Sequence, residues 1–463
     1  MTGKLPKTLA PVAFLILTAA LLAGCSKGTP EPPSPGAAPI DSQLAVATFD
    51  TAWAIIYRTH FDTTFNGVDW VALKDSLRPE AQTAQTVGDL RRVISQMVAT
   101  LGQSHFALIP EEASEAFNPY EEEDVGSEIG YIGIQFRQVG DQMVVVGVDE
   151  DGNVEAAGIR PGWVIVAVNG DSVADLLEGV RESDSRYSED YRMWARVRGR
   201  LGGAPGDTVT LEVLDASDEE LVLEVVLEPD ARQPVKFGNL PTFFSDADAY
   251  QVSSDEYDVD VGVIWFNFWM SPLMKEIDGA IDEFRDADGI IIDLRGNAGG
   301  MGGMVLGLAG HFLDEKVILG TYKTRTLNLE MKANPRRVDT NSQRVTPYDG
   351  PVAILIDETS GSASELFSGG MQSIERARVF GKTSVGAVLP ATMDRLPNGD
   401  VLYHAFAEFV TADGVTLEGQ GVIPDQPVEL TREELLAGGD PALDAAIRWI
   451  AEERAAASGT SQN

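Results

Sequence analysis

The 463-residue chain has one cysteine, Cys25, and four histidines. A lone thiol cannot form an internal disulfide, so stability must come from packed cores rather than covalent staples. No His-x-x-x-His and no clustered Cys and His stand at metal-ligand spacing, so nothing in the pattern asks for zinc chemistry. Basic residues are scarce as well: 35 Lys and Arg face 72 Asp and Glu, a formal net charge of −37. Such a chain repels polyanions and offers no phosphate-neutralising stripe, which argues against nucleic acid as a partner. The acid excess reads either as a solvated surface suited to a salty medium or as a field selecting basic substrates.

What is present begins with an export signature over residues 1–25. Lys4 and Lys7 precede an apolar run from Leu9 to Leu22, which leads into Leu22-Ala23-Gly24-Cys25. The run is short for a bilayer span. A charged start, an apolar centre and small residues before a cleavage point are the parts of a signal peptide. With Cys25 at that point, the segment resembles a bacterial lipobox, which implies a lipidated Cys25 and a membrane anchor at the cell envelope. The alternative is a plain secretory signal with a stray thiol. Residues 26–40 are rich in Pro, Gly and Ser without apolar periodicity, as expected of an extended tether.

With 44% hydrophobic residues the chain can fill the cores of roughly two or three domains. Over 41–115 the spacing is helical: Leu44, Phe49, Trp53, Ile56 and Tyr57, then Leu90, Val93, Ile94, Met97 and Leu101. This predicts a small N-terminal helical domain. Over 128–230 short β-rich runs punctuated by glycine take over, among them Met143–Val146 and Val164–Val168. Within them "GYIGIQF" and "EAAGIRPGWVIVAVNG" resemble the PDZ domain. That resemblance implies capture of a peptide C-terminus at Tyr131, Ile132, Gly133 and Ile134, by strand addition and by loop amides that hold the carboxylate. Trp163 stands where PDZ domains usually have Asp, and a PDZ-like spacer without ligand is the alternative. Over 235–453 strands and helices alternate, as in an α/β core with a buried, largely parallel sheet. Residues 454–463 read as a disordered tail.

One stretch of that core, "LIDETSGSASELFSGG", places small serines where a buried strand turns into a helix. Free N–H groups and the positive end of the helix dipole meet there, so an oxyanion formed at Ser362 would find amide donors. By itself this is no more than a helix cap, for which serine is common. Three further segments keep it company: "IIDLRGNAGG", a strand ending in a Gly-Gly turn; "LGQSH", which ends a helix in His105; and "DGVTLEGQGVIPD", which supplies Glu418.

Together the four segments resemble the C-terminal processing peptidases, or tail-specific proteases, and in particular the tricorn-core-like branch. The resemblance runs from Asp41 to about Trp449. It implies an α/β core of ClpP/crotonase type with a mixed sheet, a helical N-terminal domain and a PDZ insertion. It also implies a serine peptidase that cleaves unfolded or tail-exposed polypeptides without metal or other cofactor. Ser362 then matches the nucleophile, Ala363 and Gly299 or Gly300 the oxyanion donors, and His105 the general base. Glu418 matches the acid, acting directly or through a bridging hydroxyl.

Two departures stand out. The larger bacterial branch uses a lysine base in a Thr-x-Gly-Lys pattern, where this chain reads Ser384-Val385-Gly386-Ala387. Lys382 lies nearby, but a shift of five positions breaks the strand register that aims side chains. Gln103 stands where the histidine motif often has Asp. His311 and His404 read as structural, and Asp293 and Arg295 as supports of the Gly-Gly turn. A non-catalytic binder of peptides or apolar ligands on the same scaffold is the competing function. Oligomeric state is not legible.

Overall fold

The structure is a computed structural model that describes residues 35–112, 130–150, 152–181, 187–235, 243–254 and 256–460. Cys25 and most of the tether lie outside the described residues. Among the described residues no helix is long and apolar enough to cross a membrane.

Near the N-terminus, helices Ser42–Thr59, Trp70–Thr83 and Val87–Ala99 bury the expected stripe of Phe49, Ile56, Leu90, Val93, Ile94 and Met97. The Asp41 side chain caps the first helix, and a Thr86–Asp89 capping box starts the third. These helices do not close their core alone. Leu396 and Leu402, from far along the chain, complete it, and strand Ala107–Ile109 pairs antiparallel with Val401–Ala405.

The β-rich region forms a sheet in the order Ile134–Val139, Gln142–Val148, Val164–Val168, Thr208–Leu214, Glu220–Val226. Helices Val173–Arg181 and Glu189–Arg198 complete it, with Phe136, Val145, Ile165, Trp194 and Leu211 in a core of their own.

The largest core surrounds a sheet ordered Ala247–Ser254, Val259–Phe266, Gly289–Asp293, Val352–Ile356, Arg378–Gly381, Gln426–Pro427. Only the first pair is antiparallel. Its central strands are unbroken apolar runs because both faces are covered. Ile264, Ile290, Ile292, Ile354 and Val379 meet helices Met274–Glu283, Gly302–Ala309 and Ala363–Ser373 on one face. Val263, Ile291, Leu355 and Phe380 meet the helix Pro441–Thr460 on the other. Gly289 permits that cover: a Cβ there would stand 2.5 Å from Ile450. At the carboxyl ends of the neighbouring parallel strands Gly289–Asp293 and Val352–Ile356 lie the Gly-Gly turn and the serine turn, the position at which open α/β sheets bind ligands.

Candidate active site

Ser362 immediately precedes the helix Ala363–Ser373 and has φ 51°, ψ −113°. A non-glycine residue at positive φ outside the left-handed helical well is strained, and such strain persists only where surroundings impose it. Here they do. The Ser362 N–H donates to both Ala387 O at 3.0 Å and Glu365 Oε2 at 2.9 Å, and Gly361 N–H donates to Asn297 O at 3.0 Å.

Asn297 ties the serine turn to the Gly-Gly turn. Its carbonyl also accepts the Ser364 hydroxyl, its Nδ2 donates to Phe266 O, and its Oδ1 accepts Gly299 N–H at 2.9 Å. The two turns are in contact: a Cβ on Gly299 would lie 2.5 Å from Ser362 Cβ and 3.0 Å from Ala363 N. Gly299 N–H is thus committed to Asn297, whereas the Gly300 and Ala363 N–H groups meet no acceptor among the described residues. Asp293 and Arg295 brace this turn, Arg295 bridging Asp293 and Asp440 with paired hydrogen bonds.

His105 is almost buried and sits at φ 61°, its ring 5.6 Å from that of Tyr403. Its Nδ1 lies 2.7 Å from Ser104 Oγ, which lies 2.8 Å from Glu418 Oε2. Glu418 also accepts Ser104 N–H at 2.7 Å and Val388 N–H at 3.0 Å. The hydrogen bonds assign the tautomer. A carboxylate only accepts, so the Ser104 hydroxyl donates to Glu418 and must accept from His105 Nδ1–H, which makes Nε2 the unprotonated nitrogen of the neutral ring. The connections are continuous: Ser362 N–H to Ala387 O, Val388 N–H to Glu418, Glu418 to Ser104, Ser104 to His105. A serine, an imidazole oriented through a hydroxyl by an acid, and two amide donors are the parts of nucleophilic acyl transfer.

The family described as Peptidase family S41 matches residues 260–428, and the Tricorn protease C1 domain matches residues 47–99. Residues 260–428 thus resemble a peptidase family S41 domain. The chain is 26% identical over 353 residues to a probable CtpA-like serine protease of Staphylococcus aureus (strain COL), a match covering 75% of this chain and 61% of that protein. A protein of the same description from Staphylococcus epidermidis is 25% identical over 348 residues, again across 61% of its length. The chain therefore spans less than two thirds of these relatives. Among solved structures it resembles the photosystem II D1 C-terminal processing protease, with a TM-score of 0.56, 20% identity and coverage of 86% of this chain and 98% of that one. It also resembles mature CPAF, with a TM-score of 0.58, 14% identity and coverage of 89% and 97%. At these identities the two structures show the mixed α/β fold that this chain shares with them.

Other residues singled out in the sequence lie apart from this S41 site. Lys382 Nζ is 2.5 Å from Asp190 Oδ2, in the β-rich region, and 3.8 Å from Glu358. Burial disfavours its charge, but Glu358 and Asp190 outweigh that and raise its pKa, the wrong direction for a base. His404 bonds Asp394 and Thr59, and His311 bonds Asp278. Gln103 is tied to His60 at 2.9 Å, so Ser104 and not Gln103 orients His105. Tyr131 lies under the Arg232 guanidinium, Ile132 is buried, Gly133 has φ 68° and Ile134 opens an edge strand. Three contributors escape the sequence reading. Ser104 supplies the bridging hydroxyl, Glu365 receives the Ser362 amide, and Arg137 of the β-rich sheet pairs with buried Asp357 at 2.6 Å. The Ser-x-x-Glu spacing of a capping box is a usable signal for Glu365; Arg137 has none.

Proposed function

We propose that this chain is a serine peptidase that cleaves polypeptides with exposed C-termini, with Ser362 as nucleophile and His105 as general base. The observation that carries the reading is the Glu418–Ser104–His105 relay, which leaves Nε2 of the imidazole as its proton acceptor. His105 Nε2 takes the Ser362 proton as Oγ attacks the scissile carbonyl. The Gly300 and Ala363 amides stabilise the oxyanion, Glu418 steadies the imidazolium through Ser104, and the imidazolium then protonates the leaving amine. Water repeats the cycle on the acyl-enzyme. The β-rich region is read as a PDZ domain that presents the substrate tail along the edge strand beginning at Ile134, with the tail carboxylate at the Tyr131–Gly133 loop. Cys25 is read as the lipid anchor at the cell envelope.

A fluorophosphonate probe tests the central step. Wild type should be labelled and should cleave an unstructured polypeptide, and Ser362→Ala should do neither while remaining folded. A folded wild type that is neither labelled nor active would leave only a binding function on this scaffold. For the anchor, Cys25→Ser should move the protein from the membrane to the soluble fraction; retention after a high-salt wash would count against lipidation.

A further inference from the structure

Glu365 is fully buried against the nucleophile and has no part in the scheme above. Its Oε2 accepts the Ser362 N–H at 2.9 Å and the Ala387 N–H at 3.0 Å, and its Oε1 accepts the Gly386 N–H and the Ser384 hydroxyl, each at 2.6 Å. Three of these donors are backbone N–H groups that cannot turn to accept, so the cradle fits an unprotonated carboxylate. Ser384 is itself fixed, since its Oγ accepts Val422 N–H at 2.7 Å.

Among the described residues no cation bonds Glu365. The helix Ala363–Ser373 carries no other charged residue. On the segment packed against Glu365, Lys382 is held by Asp190 and Glu358, and beyond Ala387 the Val388 amide is held by Glu418 of the His105 relay. Burial pushes the Glu365 carboxyl up to about 7, against the downward pull of Ser384 and the three amides. Its charge is therefore carried by hydrogen bonds alone, and about 7 lies within reach of the ordinary value of a free imidazole.

We propose that Glu365, as the carboxylate, is the positioning residue of this site: it binds Ser362 and the 384–387 segment into one rigid unit, and turnover needs Glu365 ionised as well as His105 neutral. The inference rests on the peptidase reading. A glutamine at 365 can serve only one of the two donor pairs, because its NH2 faces the other. Either the Ala387 amide loses its acceptor and the Ser362 amide keeps only Ala387 O, or the Gly386 amide loses its acceptor and the Ser384 hydroxyl must turn to accept from the NH2.

The test compares pH profiles of cleavage and of fluorophosphonate labelling for the full chain and three variants. Wild type should show an acid limb steeper than one proton. Glu365→Gln should lose on the order of 100-fold in kcat, with KM little changed and a one-proton limb. Ser384→Ala removes one donor to the carboxylate and should move the limb to higher pH, and Ser384→Thr should restore it. The proposal is overturned if Glu365→Gln keeps kcat within about 3-fold of wild type with the same limb, or if Ser384→Ala leaves the limb unmoved. Should Glu365→Gln fail to fold, the Ser384 pair decides. A wild type that neither reacts nor cleaves would instead overturn the peptidase reading itself, an outcome distinct from these.

Discussion

The Ser104 hydroxyl sits between a carboxylate that can only accept and an imidazole nitrogen that must then donate, so one small side chain fixes which nitrogen of the neutral ring carries the proton. Removing it separates two contributions. In Ser104→Ala the backbone of residue 104 still donates to Glu418, as does Val388, so the acid stays in place. What disappears is the link from acid to ring. Cleavage by Ser104→Ala should therefore fall on the order of 10-fold to 100-fold in kcat, with KM nearly unchanged, less than the loss expected for His105→Ala. Steady-state kinetics with a quenched peptide checks this. Equal losses for the two variants would mean that Ser104 supports the local fold and not the relay. Lys382→Ala, which breaks the ion pairs to Asp190 and Glu358, should leave kcat within a few-fold.

At the scale of elements, the site is made by two turns at adjacent strand ends, and each depends on backbone that ordinary residues resist. Gly300 has φ 136°, and a Cβ there would meet Trp269 O at 2.5 Å, a backbone atom with no freedom to retreat. Gly300→Ala should thus shift the 297–301 turn, lower the melting temperature and cost on the order of 100-fold in kcat, the usual effect of losing one oxyanion donor. Full activity in that variant would move the oxyanion site elsewhere. These turns were readable because each follows a continuous apolar strand, Gly289–Asp293 or Val352–Ile356, and begins with residues that stop strands. The helical periodicity of residues 42–99 was readable for the same local reason. The contacts that assemble the site were not. Ser104 meets Glu418 across 314 residues of sequence and Arg137 meets Asp357 across 220, and no spacing rule carries over such distances. The likeness to a known peptidase family led to Glu418 and His105. It allowed for a bridging hydroxyl without naming Ser104 as its source, and it did not indicate the closure of the helical core by Leu396 and Leu402.

At the scale of the whole molecule, one of the contacts that join the β-rich sheet to the α/β core near the serine turn is a buried charge pair. Arg137 leaves the edge strand Ile134–Val139 to reach Asp357, which directly follows the strand Val352–Ile356 and whose Oδ1 accepts from Gly296 N–H and from the amide and hydroxyl of Thr359. Burial works against the charge on Asp357, but Arg137 and the Thr359 donors outweigh it and hold the carboxyl below its ordinary 3.8. A lowered carboxyl pKa stabilises the fold above the unfolded value, and that stability is lost as pH falls through the folded value. Arg137→Met keeps the stem and removes the charge, leaving Asp357 buried without its cation. At pH 7 the variant should lose about 3–5 kcal/mol, the range for breaking one partner of a buried pair. In the variant the buried carboxyl has lost the cation that held its pKa down and takes up a proton at higher pH than in wild type, so the gap should narrow as pH falls from 7 toward 4. Adding Asp357→Asn to Arg137→Met should recover part of the loss at pH 7, since the unpaired charge is then gone. Denaturant unfolding at both pH values measures each step. A gap that is independent of pH, or a double variant no more stable than Arg137→Met, would assign the contact to packing of the arginine stem and not to the charge that joins the two regions.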